Sequence, residues 1–350
     1  MDSIAILKAR LQQQQLQTTN TTQSPRDIVA WMGAMQAQDY NMSKWAIGIR
    51  IPGCANQMVE DAFNCGAILR THVLRPTWHL VVPENIRWML ALSKERIKLS
   101  SQSRDRELGI TEDLFSKANL AIQKALEEHQ YLTRDDLASI LKKSGIETDT
   151  ARMIHFMMRA EVEAIVCSGP IREKKQTYAL LNQRAPQSVC LTKDEALAKL
   201  AQLYFTSHGP ATIQDFIWWS GLSVSEARYA IEMNRPNLIL ETIDSQEYWL
   251  PYLLKNTPKN IISSIQLLPA FDEYIISYKN RNILFPLNNC NKAISSNGIF
   301  RPTIIKDGQV IGIWKKSSSK KKVLDLEFFE QPDPSTKELA QKASDIYCTF

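Results

Sequence analysis

The sequence predicts an α+β protein in which three tandem winged helix-turn-helix units precede a small β-rich C-terminal domain. Two observations carry this expectation: an internal repeat in the middle of the 350-residue chain, and a change of patterning after it. The repeat aligns Thr133-Arg134-Asp135-Asp136-Leu137 with Thr212-Ile213-Gln214-Asp215-Phe216. It also aligns Gly145-Ile146 and Ala151-Arg152 with Gly221-Leu222 and Ala227-Arg228. The offsets of 79 and 76 residues are nearly equal, as expected of two copies of one supersecondary unit. From Leu267 onward, short apolar runs separated by turn residues replace helical periodicity.

Each element has a local reason. Ser24, with Asp27 three residues on, repeats the cap pattern and opens a helix near Pro25 that should end around Met35. Ser43 then caps a new helix, helices continue to Asn64, and residues 67–73 and 77–82 form a hairpin, giving a third, weaker copy. In the first clear copy Thr133 caps a helix, Gly145 ends it in a left-handed conformation, and Thr148 or Thr150 opens the second helix. A hairpin follows over residues 164–167 and 177–181. The second clear copy uses Thr212, Gly221 and Ser223 in the same roles, with a hairpin over 238–242 and 248–250. Beyond it, 267–281, 300–305, 310–314 and 323–329 are apolar runs, and Lys306-Asp307-Gly308-Gln309 carries the Asp-Gly hairpin signal. Residues 335–345 read as a short surface helix. The expected segments are 1–95, 96–185 and 186–255 for the winged helices and 256–350 for the β-rich domain.

Composition excludes several classes. With 44% apolar and 23% charged residues the chain is globular, and no apolar run is long enough to span a bilayer. Met1-Asp2-Ser3-Ile4 shows no basic region followed by an apolar core, so a cytoplasmic, nucleoid-associated location is expected. The six cysteines form no CxxC pair and none has a histidine at zinc-finger spacing, and the five histidines make no HExxH. Neither a metal nor a cofactor is expected. The net charge of +5 is mild, but seven basic and only two acidic residues lie between Arg301 and Asp325. Lys315, Lys316, Lys320, Lys321 and Lys322 crowd a hairpin tip that can neutralise phosphates, although such a run in isolation reads more simply as a solvated loop. Arg96, Lys98, Arg104 and Arg106 form a second cluster that reads as surface. The second helices of the repeats are not strongly basic, so the repeat alone leaves DNA and protein both open as partners.

Four motifs in order then narrow the reading. They are 71–79 (THVLRPTWH), 168–170 (SGP), 207–222 (SHGPATIQDFIWWSGL) and 268–274 (LPAFDEY). Together they resemble the AlkZ-like, azinomycin-resistance type of winged-helix DNA glycosylase, over roughly residues 25–330. The resemblance implies tandem winged helices behind a concave DNA-binding face. It also implies that Gln36 and Gln38, in Gln36-Ala37-Gln38, are the catalytic pair. Related members with another lesion range carry Asp in the second position, where this chain has Gln38 followed by Asp39. Ser277 and Ile313 depart from the family pattern and read as packing adjustments.

The chemistry is coherent in its own right. Residues i and i+2 on a helix point about 200° apart, so Gln36 and Gln38 can share a substrate only if the helix has ended and the chain extends. Amides are poor bases and need a good leaving group, which N7- or N3-alkylated purines supply because alkylation makes the base cationic. Gln carbonyls can then hold water and stabilise an oxocarbenium-like sugar, with Asp39 a stronger base if it reaches that water. The absence of lysine from the segment favours hydrolysis over strand-cleaving lyase chemistry. Arg75, Thr77 and His79 lie at a hairpin where they line a pocket or contact the DNA backbone, while His79 is equally readable as packed beside Trp78. His208 reads as an N-cap support, Trp218 and Trp219 as core, and Trp31 and Tyr40 as packing rather than base stacking.

The expected function is a monofunctional DNA glycosylase acting on alkylated purines in double-stranded DNA, with interstrand cross-links inside its range, working as a monomer without a membrane. The alternative is a non-catalytic winged-helix transcription regulator, which would prefer one sequence, commonly a dyad read by a dimer. A protein-binding scaffold would instead show negligible DNA affinity even at low salt.

Overall fold

The computed structural model describes residues 2–17, 23–186, 189–252, 263–285, 289–318 and 323–350. Helices alternate with small sheets, and the chain forms two compact units, Met1–Val59 with Leu197–Phe350, and Glu60–Ala196. The ends of the chain therefore fold together, and the segment read from sequence as 1–95 is divided after Val59. Among the described residues no helix is long and apolar enough to cross a membrane.

In the unit Glu60–Ala196, strands Leu69–His72 and Trp78–Val81 pair antiparallel with Thr71 opposite His79. The helix Pro83–Glu107 follows, with Pro83 in the first turn, where its fixed φ suits the helix and its missing N–H is not needed. The first clear repeat then folds as its caps require. Thr133 Oγ1 accepts the Asp136 N–H while the Asp136 carboxylate accepts the Thr133 N–H, which starts the helix Arg134–Lys143. Gly145 sits at φ 76° just beyond its end. The second helix, Thr150–Val162, is capped by Asp149, which accepts the Arg152 N–H at 2.8 Å. Of the two expected caps, Thr148 turns back to donate to Ala138 O and Thr150 is the first residue of the helix itself, and Asp caps a helix at least as well as Thr. Strands Val166–Ser168 and Thr177–Leu180 form the hairpin, with Leu132–Thr133 added on the outer side of the latter. Phe115, Ile122, Leu126, Leu137, Leu141 and Phe156 make the core beneath it.

In the other unit the second repeat is built the same way. Thr212 and Asp215 form a capping box on the helix Ile213–Ser220, Gly221 ends it at φ 70° and ψ 10°, and Ser223 with Glu226 caps Val224–Met233. The hairpin of Leu238–Ile243 and Gln246–Pro251 turns at Asp244 and Ser245, both at positive φ, matching the strand twist. A four-stranded antiparallel sheet runs in the order Leu324–Phe328, Gln309–Lys316, Thr303–Lys306, Ile265–Leu268. Its Asp307-Gly308 turn again takes positive φ at both residues. The helix Pro334–Thr349 is longer than the sequence implied and is not merely superficial. Ala340 and Ala343 are buried against Trp45, Leu267, Ile304 and Trp314, and both indole N–H groups donate to strand carbonyls, Trp45 to Leu267 and Trp314 to Leu268.

Candidate active site at Gln36–Asp39

The segment that carries the glutamines is a short extended connection between two helices. The first helix, Pro25–Met32, begins with a Ser24–Asp27 capping box and ends at Gly33, which has φ 76°. A side chain at Gly33 would stand 3.2 Å from Leu203 Cβ as well as forcing a disfavoured backbone, so glycine is required at this break. The helix thus stops short of the expected Met35. The chain is extended at Met35–Gln36, and the next helix, Tyr40–Gly48, is capped by Asp39, whose carboxylate accepts the Met42 N–H at 3.0 Å. Ser43, expected to be the cap, lies inside that helix and donates to Tyr40 O. The expectation that the two glutamines leave the helix is met.

Within the connection the side chains differ in depth. Gln36 is 6% exposed and Ala37 is fully buried, whereas Gln38 and Asp39 are exposed. Gln36 Oε1 accepts the Gln38 N–H at 3.1 Å, so the first glutamine folds onto the backbone of the second. Asp39 commits one carboxylate oxygen to its helix cap.

The connection is anchored from below by Glu273, the first residue of the short helix Glu273–Ile276. Glu273 Oε1 accepts the Gln36 N–H at 2.6 Å. Its Oε2 accepts the Trp219 Nε1–H at 3.1 Å and the Ser277 hydroxyl, and lies 3.6 Å from His208 Nε2. This carboxylate is 1% exposed. His208 is fully enclosed, stacked on Tyr204 with ring centroids 4.9 Å apart, and Ser207 Oγ lies 2.8 Å from its Nδ1. Burial pushes the His208 pKa below its ordinary value, and Glu273 opposes that shift. His208 is therefore a buried partner of Glu273 rather than an N-cap support. Ser277, read from sequence as a packing adjustment, donates to the same carboxylate.

Glu273 is itself aimed by its neighbour. Asp272 caps the short helix by accepting the Tyr274 N–H, and both its oxygens receive Arg50 Nη atoms at 2.8 Å, with both side chains at 0% exposure. Arg50 also donates to Ala46 O and Gln14 O, tying three segments together. Trp219 is core as expected, but Trp218 is half-buried, donates to Ile276 O, and has Lys279 Nζ 4.6 Å and Arg281 Cζ 5.4 Å from its ring centroid. Trp31 is likewise occupied structurally, donating to Gln13 O.

Lys315 and Lys316 are exposed at the end of strand Gln309–Lys316, which pairs with Leu324–Phe328 as a hairpin. Lys320, Lys321 and Lys322 lie outside the described residues. In the unit Glu60–Ala196, Arg75 and Thr77 are half-buried in the hairpin connection, and His79 is fully buried with Nδ1 2.9 Å from Thr77 O. Among the described residues no group of three or more His, Cys, Asp or Glu is arranged to hold a metal.

Glu273 was given no role from sequence, although the 268–274 motif that contains it was noted. The signal available was an acidic pair, Asp272-Glu273, embedded in an otherwise apolar run; charges in such a setting are buried and paired.

The interstrand DNA cross-link repair glycosylase of Streptomyces sahachiroi is 23% identical over 347 residues, covering 95% of this chain and 91% of that protein. The solved structure of the S. sahachiroi DNA glycosylase AlkZ shares the fold, with a TM-score of 0.83 at 19% identity over 100% of this chain and 96% of that one. A family model described as DNA glycosylase AlkZ-like matches residues 29–347, and the chain accordingly belongs to the AlkZ-like DNA glycosylase family.

Proposed function

We propose that this protein is a monofunctional DNA glycosylase that hydrolyses the N-glycosidic bond of N7- or N3-alkylated purines in double-stranded DNA, cross-linked purines included, and leaves an abasic site. The observation that carries the reading is the release of Gln36-Ala37-Gln38 from helical geometry into a connection anchored on a buried carboxylate. A non-catalytic regulator has no need of such an arrangement.

The alkylated purine is cationic, so its glycosidic bond breaks with the electron pair passing to the base, which departs neutral. The sugar is left as an oxocarbenium-like cation that water attacks at C1′, losing a proton. Gln38, exposed, meets the water and the sugar; Gln36, buried and folded onto the Gln38 N–H, sets the position of the pair. Carbonyl dipoles already oriented before reaction stabilise the developing charge without reorganising. Asp39 has one oxygen on its helix cap, and the other is the acceptor for the water's proton.

DNA is held by phosphate contacts from Lys315 and Lys316, joined by Lys320, Lys321 and Lys322 of the same lysine-rich run of sequence. Lys279 and Arg281, lying over Trp218 beside the short helix that anchors Gln36, extend the basic surface. Arg75 and Thr77 act from their hairpin, with His79 supporting it from inside. In this reading the scaffold is three tandem winged helices over 1–95, 96–185 and 186–255 with a β-rich segment over 256–350, and the enzyme acts as a monomer on nucleoid DNA. The similar arrangement of caps, helices and hairpin in the two repeat copies supports the tandem organisation.

The test is base release from a duplex bearing one N7-methylguanine, and from one bearing a bulkier N7 adduct, with free base and alkali-labile sites both quantified. Equal yields of base and abasic site, without strand cleavage before alkali, are expected. No release from either substrate overturns the assignment.

A further inference from the structure

We propose that Glu273 is a positioning residue for the glutamine pair, its buried carboxylate fixing the Gln36 peptide so that Gln36 closes onto Gln38. The proposal rests on the catalytic reading of that pair. Three observations carry it. First, one oxygen of Glu273 is given to the loop itself, as acceptor of the Gln36 N–H at 2.6 Å. Secondly, the other oxygen is tied to two rigid groups, Trp219 Nε1 at 3.1 Å and the Ser277 hydroxyl, so the carboxylate transmits the position of the helix Ile213–Ser220 to the loop. Thirdly, the helix cap at this turn and the counter-charge for Arg50 are already supplied by Asp272, so neither role falls to Glu273, whose Oε2 faces Trp219, Ser277 and, at 3.6 Å, His208 Nε2 while its Oε1 is left for the loop.

A carboxylate suits this place and an amide does not. Glu273 accepts on both oxygens. In Glu273→Gln, either orientation of the amide sets an NH2 group against an N–H donor, Gln36 on one side or Trp219 on the other. The loop then loses its anchor or the anchor loses its seat. Because a shift of about 1 Å in a reacting group can cost roughly 100-fold in rate, the consequence falls on the chemical step rather than on DNA binding.

The experiment compares wild type, Glu273→Gln, Glu273→Asp and Ser277→Ala in single-turnover release of N7-methylguanine. The affinity of each for a duplex containing a tetrahydrofuran abasic analogue is measured in parallel. Tyr274→Phe serves as the structural control, since it removes a buried hydrogen bond to Gly308 O from the same short helix without touching the loop. The Glu273 variants are expected to lose at least about 10-fold in rate with affinity changed less than about twofold, and Ser277→Ala to show a smaller loss of the same kind. Should the Glu273 variants not fold, Ser277→Ala, which keeps nearly the same volume, decides the question. A rate loss no greater than that of Tyr274→Phe at equal thermal stability, or a parallel loss of affinity and rate, overturns the proposal. Gln36→Ala and Gln38→Ala run in the same assay separate the two levels. If both keep the wild-type rate, or if wild type releases no base, the catalytic reading falls and this proposal with it. If both are slow while the Glu273 and Ser277 variants are not, only the proposal falls.

Discussion

Arg50 and Asp272 form a fully buried, doubly hydrogen-bonded pair, and Asp272 also caps the helix that presents Glu273 to the glutamine loop. Asp272→Ala leaves the guanidinium enclosed without its counter-charge. Removing one partner from such a pair costs about 3–5 kcal/mol, and losing a helix cap about 1 kcal/mol. Because both losses fall within one network they do not add fully, and about 4–5 kcal/mol is expected in total. At roughly 2–4 °C per kcal/mol for a unit of this size, the unfolding midpoint should fall by about 10–15 °C. The assay is thermal unfolding by circular dichroism, with urea titration for the free energy, on Asp272→Ala, Arg50→Met and Arg50→Met/Asp272→Ala. The double variant removes both charges and should be more stable than the sum of the single losses by at least about 2 kcal/mol. A midpoint within 3 °C of wild type for Asp272→Ala, or strictly additive losses in the double variant, would refute the reasoning.

Gly33→Ala forces a side chain into positive φ and against Leu203, and is expected to destabilise by at least about 1–2 kcal/mol and to slow base release, read by urea titration and single-turnover kinetics. His208 has its pKa lowered chiefly by burial, so between its folded and ordinary values the unfolded chain binds the extra proton. Its contribution is present above the ordinary value near 6.5 and is lost as pH falls below it, by up to about 1.4 kcal/mol per pH unit. The urea-unfolding free energy of His208→Gln should therefore fall less steeply than that of wild type between pH 6.5 and 5; equal slopes would contradict this. Replacing Lys315 and Lys316 by Ala should each reduce the slope of log affinity against log salt by about 1, with little dependence on DNA sequence, as measured by fluorescence anisotropy.

The repeat was legible because its signals are local. Thr133, Thr212 and Ser24 each form the capping box that the spacing to an aspartate three residues on implies, and Gly145 and Gly221 take the positive φ expected beyond a helix end. The break that frees Gln36 and Gln38 was also legible, although its position was misjudged: Gly33 ends the helix, and Asp39 takes the cap assigned to Ser43. Neighbouring cap-formers of similar strength compete, as Asp149 and Thr148 also do, and tertiary packing chooses between them. What lies under the loop was not legible. Gln36 and Glu273 are 237 residues apart in sequence, as are Arg50 and Asp272 by 222, and no periodicity or motif spacing encodes such pairings. The association of residues 1–59 with 197–350 is of the same long-range kind.

The most direct measurement is the single-turnover rate of N7-methylguanine release by wild type, Gln36→Ala, Gln38→Ala and Asp39→Asn, with folding checked by circular dichroism. Loss of one oriented polar group at a developing charge costs about 100- to 1,000-fold, and Gln38→Ala should fall in that range, with Gln36→Ala close to it. Asp39→Asn should lose less, since Asn still caps the helix Tyr40–Gly48. Wild-type rates in both glutamine variants, with the loss confined to Asp39→Asn, would contradict the assignment of catalysis to the glutamine pair.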